Sequence, residues 1–172
     1  MASARSGNVI GGGDWSEDRL IPDFLRAYDS GRPVVIRSPG SIRPWQHVLE
    51  PLSGYLLLAE KLYGGEQSVA GPWNFGPPDQ DARSVGWIIQ YLVDAIPGAT
   101  WKSDHENHVH EANCLKLDSS KARELLGWQT RWSLEKALNR VIEWHQQWRS
   151  GGNMYDYCRE QIAAYCNEAG VT

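Results

Sequence analysis

Apolar positions along the chain fall into two patterns: short extended runs, and longer stretches with helical spacing. Residues 21–30, "IPDFLRAYDS", form an amphipathic stretch with Pro22 in its first turn and Gly31 just past its end, which predicts a short helix. Residues 51–63, "PLSGYLLLAEKLY", are more continuously apolar and predict the most buried helix, stopped by Gly64 and Gly65. Ser84 is placed to cap a helix running to Ala95, with Val85, Ile88, Ile89 and Leu92 on one face. Asp118 is placed to cap a helix over 119–128. Ser133 does the same for the stretch carrying Leu134, Leu138, Val141, Trp144 and Trp148 at helical spacing. After Gly151 and Gly152, residues 154–167 read as a last helix packed on the preceding one.

Between these lie short runs that read as strands: 4–10, 32–38, part of 39–48, 71–78, "TWKSD" and 112–118. The fold class this predicts is mixed α/β, short strands with five to six helices. The repeated strand–helix units of a doubly wound sheet are missing, so no complete Rossmann domain is expected. A strand of interior character lies at the very start, which leads us to expect that a preceding half is absent.

The length of 172 residues suits one domain spanning 1–172. Nine tryptophans in that length supply large apolar faces, and most are expected in the core. A net charge of −4 without a Lys/Arg stripe argues against a nucleic-acid surface. The first fifty residues hold Arg5, Arg19, Arg26, Arg32, Arg37 and Arg43 against six acidic residues, so most of these arginines should be ion-paired. Cys114, Cys158 and Cys166 are odd in number and form no C-x-x-C, as expected of reduced thiols in a cytoplasmic protein. The longest apolar run, 55–59, is too short to span a bilayer, and the N-terminus lacks the apolar core of a signal peptide.

Candidate chemistry is sparse. A dinucleotide fingerprint needs G-x-G-x-x-G between a strand and a helix, whereas Gly7, Gly11, Gly12 and Gly13 have other spacing and run into Asp14. A flexible turn is the minimum reading. "HENHVHE", residues 105–111, holds three histidines but no H-x-x-x-H pair, and reads as a polar loop rather than a metal site. Asp14, Glu17 and Asp18 read as a solvated turn, and no serine sits in G-x-S-x-G. No catalytic, cofactor-binding or metal-ligating residue is assigned.

The stretches "GNVIGGGDW", "DRLIPD", "GRPVVIRSPGSIRPWQHVLEPLSGYLLLAEKL", "WNFGP" and "NCLKLDSSKARELLGW" change this picture. In order and spacing they resemble the C-terminal, substrate-binding half of the CDP-glucose 4,6-dehydratases. These form a branch of the extended short-chain dehydrogenase/reductase family of nucleotide-sugar enzymes. The resemblance implies that Asn8 hydrogen-bonds the sugar diphosphate and that Arg19, Leu20, Ile21 and Pro22 close over the nucleotide. It also implies that Arg43 contacts a phosphate with Trp45 behind it, and that His110 and Glu111 approach the ribose.

In such enzymes bound NAD oxidises C4 of the hexose, water is lost across C5–C6, and the hydride returns to C6. The product enters polysaccharide biosynthesis. The family's G-x-x-G-x-x-G and Tyr-x-x-x-Lys motifs do not occur here. The expectation is therefore a CDP-sugar-binding portion, inactive alone and binding no NAD by itself. Its alternatives are a stand-alone nucleotide-sugar-binding or interaction module, or one chain of a split enzyme whose N-terminal half is separately encoded. Self-association through the exposed first strand is a further expectation.

Overall fold

The computed structural model describes residues 1–104 and 114–168. In chain order its first half contains β1 (Ala2–Ser6), β2 (Asn8–Ile10), α1 (Leu20–Asp29), β3 (Val34–Ile36), β4 (Ile42–His47) and α2 (Leu49–Tyr63). There follow β5 (Gly71–Phe75), β6 (Ala82–Ser84), α3 (Val85–Ala95), β7 (Trp101–Ser103), α4 (Ser120–Leu126), α5 (Leu134–Arg149) and α6 (Met154–Asn167). The strands form three small sheets. β1 pairs in parallel with β5, and β3 with β7; β4 lies between a parallel β2 and an antiparallel β6.

The run expected as one strand over 4–10 is two strands in different sheets, divided at Gly7. A side chain there would bring its first carbon to 2.5 Å from the Pro44 carbonyl oxygen, so only glycine lets the chain pass β4 this closely. Cys114 makes a single bridge to Ile42, and 115–119 joins no ladder, so the expected strand over 112–118 does not form; residues 112 and 113 lie outside the described residues. The next helix begins at Ser120 and stops at Leu126, because Gly127 turns left-handed at φ 67°. Asp118 still serves its amide: its carboxylate accepts from Ser120 N at 2.9 Å, while the Ser119 hydroxyl accepts from Gly76 N at 2.7 Å. Ser84 and Ser133 cap α3 and α5 through their hydroxyls, as their positions predict.

The main core lies between α1, α3 and α5 and the β2–β4 pair, with Phe24, Ile88, Ile89, Leu92, Leu138 and Val141 almost fully buried. Each such side chain contributes about 1.5–3 kcal/mol on leaving water. A second core joins α2, β5 and α4 through Leu58, Trp73, Phe75 and Trp128. Five of the nine tryptophans are buried, namely Trp45, Trp73, Trp128, Trp132 and Trp144.

The helix α2 corrects its expectation. It buries only Glu50, Pro51, Gly54 and Leu58, while Leu52, Leu56 (72% exposed) and Tyr63 face outward. Among the described residues only one side of this helix meets another element, which leaves part of its continuous apolar character uncovered.

A polar hub sits in the second layer of this core. The fully buried Glu50 carboxylate accepts from Arg131 N at 3.0 Å, Trp132 N at 2.8 Å and the Tyr165 hydroxyl at 2.8 Å. It thereby ties α2 to the 127–133 connection and to α6.

Candidate functional site

A cleft of about 580 Å³ opens where β2, β3 and β4 run toward α1. Its floor comes from the parallel β2–β4 pair, which sets Asn8 opposite Trp45. Its walls are the 11–19 connection, the first turn of α1, and β3 with the following Arg37 and Ser38. Asn8, Arg19, Leu20, Ile21, Pro22, Arg43 and Trp45 all line this one cleft. Parallel strands whose ends feed a helix N-terminus produce such a crevice, and helix-start amides there lack intrahelical acceptors. In α1 these are the amides of Leu20 and Ile21, since Pro22 has none.

Arg43 directs Nη1 to the Ile42 carbonyl at 3.0 Å and stands opposite Arg83 in the β4–β6 register. Trp45 is 5% exposed and donates from Nε1 to the Arg83 carbonyl at 3.0 Å, so it is core and cleft floor together. His110 and Glu111 lie outside the described residues, as does the whole 105–111 histidine cluster.

The cleft also includes residues that the sequence reading set aside. Arg19 meets Asp14 at 3.3 Å and Arg37 meets Asp18 at 3.4 Å, so the acidic turn is a charged wall of the cleft rather than merely solvated. Burial raises the Asp14 carboxyl, but hydrogen bonds from the Ser16 backbone and side chain, with the Arg19 charge, outweigh it and hold the group below its ordinary range. Exposed pairs of this kind are worth about 0–1 kcal/mol, so a ligand anion can take over either arginine. Arg37 gave a faint signal, as one of six arginines and within the strand expected over 32–38. Asp14 and Asp18 stood out as an acidic cluster with Glu17, with nothing local to mark a ligand cleft beside them.

The glycine run has a packing role. A side chain at Gly11 would meet Val48 at 2.9 Å, and one at Gly12 would enter the Trp144 ring at 2.1 Å. Val48 and Trp144 thus occupy the positions that side chains at Gly11 and Gly12 would take. The run is a close-packed turn rather than a flexible one. Among the described residues no group of three or more His, Cys, Asp or Glu could hold a metal ion, and no helix is long and apolar enough to cross a membrane.

Comparison with known proteins accords with this geometry. No family model matches the chain. It is 51% identical over 166 residues, 96% of its length, to the CDP-glucose 4,6-dehydratase of Salmonella typhimurium, of which this covers 46%. A UDP-glucuronic acid decarboxylase of Arabidopsis thaliana matches at 26% identity over 74% of the chain and 27% of that protein. Among solved structures, UDP-glucuronic acid 4-epimerase from Bacillus cereus, in complex with UDP-glucuronic acid and NAD, superposes with a TM-score of 0.70 at 20% identity. That superposition covers 84% of this chain and 44% of the epimerase. The dTDP-glucose 4,6-dehydratase of Bacillus anthracis, in complex with NAD, gives 0.66 at 16% identity over 85% and 44%. The chain is thus a homologue of the nucleotide-sugar epimerases and dehydratases of the extended short-chain dehydrogenase/reductase family. Within that family it matches the CDP-glucose 4,6-dehydratases, and it spans about half the length of that curated relative.

Proposed function

We propose that residues 1–172 form a nucleotide-sugar-binding domain that holds CDP-glucose for its conversion to CDP-4-dehydro-6-deoxyglucose. The observation that carries this reading is the convergence on one cleft of Asn8, Arg19, Arg43 and the first turn of α1, drawn from separate elements. A diphosphate wants bidentate arginines, neutral amide donors and a helix start, and this cleft supplies all three. Half-identity to CDP-glucose 4,6-dehydratase favours cytidine as the base. His110 and Glu111 complete the proposed set near the ribose.

NAD and the proton-transfer groups of the reaction are assigned to a portion outside these residues, since neither family motif lies within them. On this reading the chain alone binds substrate in the cytoplasm, takes no NAD and turns nothing over. Titration with CDP-glucose, using UDP-glucose and dTDP-glucose as controls, is expected to show a preference for the cytidine sugar. Arg43→Ala should weaken that binding about tenfold, the scale of one lost charge-assisted hydrogen bond. Equal binding of all three sugars would sink the cytidine assignment. No binding at all would sink the domain's proposed role.

A second reading concerns assembly. Among the described residues β1 and β5 form a parallel pair that no third strand joins, and Leu52, Leu56 and Tyr63 of α2 are exposed. Parallel sheets are stable when wider and covered on both faces. We therefore read this side as the face that takes up a complementary half, separately encoded or further along the same polypeptide, or failing that a second copy. The isolated chain should elute in size-exclusion chromatography above its monomer mass of 19.4 kDa, with Leu56→Glu restoring the monomer. A clean wild-type monomer would count against self-association and leave the complementary half.

A further inference from the structure

The 11–19 connection supplies one wall of the cleft, yet it contains no regular structure and its side chains are mostly exposed. What fixes it lies outside the cleft. Trp15 sits against two tryptophans one helical turn apart on α5, with ring centroids 4.7 Å from Trp148 and 6.2 Å from Trp144. The edge-on and tilted geometries, 61° and 53°, are those that aromatic quadrupoles favour. Trp144 in turn donates to Cys158 of α6 at 3.3 Å and lies under the backbone of Gly12. On the other side Arg26 of α1 donates to the Trp15 and Ser16 carbonyls at 2.9 and 3.1 Å.

The far end of α1 is tied to α5 independently, through His145 and Arg149 to Asp29 at 3.0 and 3.4 Å. The helix α5 therefore holds α1 at its far end, and Trp15 is the side chain by which the turn that presents Asp14, Asp18 and Arg19 packs on Trp144 and Trp148.

We propose that Trp15 is a positioning residue for the cleft: clasped by Trp144 and Trp148, it holds the Asp14–Arg19 turn in place and makes nucleotide-sugar affinity depend on α5. This rests on the reading of the cleft given above. Trp15 does not itself line the cleft, and it is 45% exposed, so its packing is dispensable for the core. A clasp of this kind should act on the turn without unfolding the domain.

The test compares wild type with Trp15→Ala, Trp15→Phe, Trp148→Ala and the double alanine variant, by hydrogen exchange without ligand and by CDP-glucose titration. Both single alanine variants should exchange the Ser16 amide, which donates to Asp14 Oδ1 at 3.0 Å, faster, while the amides of α3 and α5 stay protected. They should bind CDP-glucose about three- to tenfold more weakly, the scale of one aromatic contact. The double variant should be no weaker than Trp15→Ala, because that substitution already removes the contact that Trp148→Ala removes. Trp15→Phe should restore most of the affinity. Unchanged exchange at the Ser16 amide in Trp15→Ala overturns the proposal, as does unchanged affinity when the wild type binds. Loss of protection throughout the chain in Trp15→Ala and Trp148→Ala would also overturn it, by making the contact part of the core. A wild-type chain that binds none of the sugars overturns the cleft reading and with it the dependence of affinity on α5; the exchange result then decides the clasp alone.

Discussion

Glu50→Ala is expected to lower the unfolding free energy by about 2–5 kcal/mol, the scale of two backbone amides left without their acceptor. The carboxylate is fully buried, and its removal strands the amides of Arg131 and Trp132 and leaves the Tyr165 hydroxyl with Ser53 Oγ, at 3.1 Å, as its acceptor. Trp132 and Tyr165, each 3% exposed, have no room to turn to water instead. The loss should appear as a reduced urea midpoint and as early release of α6, which meets Glu50 through Tyr165. Glu50→Gln keeps one carbonyl oxygen in place and should cost clearly less. Equal losses in both variants would mean that packing volume, rather than hydrogen bonding, is what Glu50 supplies.

A comparable effect is expected from pH at His47. Burial, with the Arg140 charge adding to it, lowers this imidazole from its ordinary 6.5 to about 4. The ring is 2% exposed, accepts from Leu49 N at Nδ1 over 3.3 Å, and packs against Trp132 at 4.9 Å. Because the folded value is the lower one, the unfolded chain takes up a proton that the native state refuses. Stability from this group is whole above pH 6.5, falls as pH drops toward 4, and is flat below that. Integrated over that window the loss is about 3 kcal/mol.

Glu50 works in the opposite sense. Burial pushes its carboxyl up, against hydrogen bonds from the Trp132 amide, the Tyr165 hydroxyl and the Arg131 amide and the Arg131 charge, so its share is lost as pH rises above the ordinary 4.5. The measurement is therefore a difference: urea unfolding of wild type and His47→Gln from pH 7.5 down to 4. The gap between the two should narrow as pH falls below 6.5. A constant gap would show that His47 titrates alike in both states.

Much of the candidate site was legible before any coordinates. Asn8, Arg43 and the 19–22 segment are far apart in sequence, and a motif resemblance grouped them as parts of one ligand site. The cleft brings them together with Trp45. Arg37, Asp14 and Asp18 were passed over because a charged residue in a polar turn has the same local pattern whether it faces solvent or a ligand. The role of the glycine run could not be read either. Spacing excluded a dinucleotide fingerprint, but only Trp144, more than a hundred residues on, explains why Gly12 must lack a side chain.

Local periodicity and capping chemistry determined the helices, since the spacing of apolar residues and the placement of Ser84, Ser133 and the terminal glycines act within a few residues of chain. The same sequence also determined the branch of proteins to which it is related, through long ordered motifs. Tertiary structure alone decided where one apparent strand breaks between two sheets, which face of α2 stays bare, and that Glu50 becomes a buried hub. Each of those outcomes depends on what lies across space: Pro44 beside Gly7, the side of α2 with Leu56 that no described element covers, three donors converging on one carboxylate. Such neighbours arrive from distant parts of the chain, and no window of local sequence contains them.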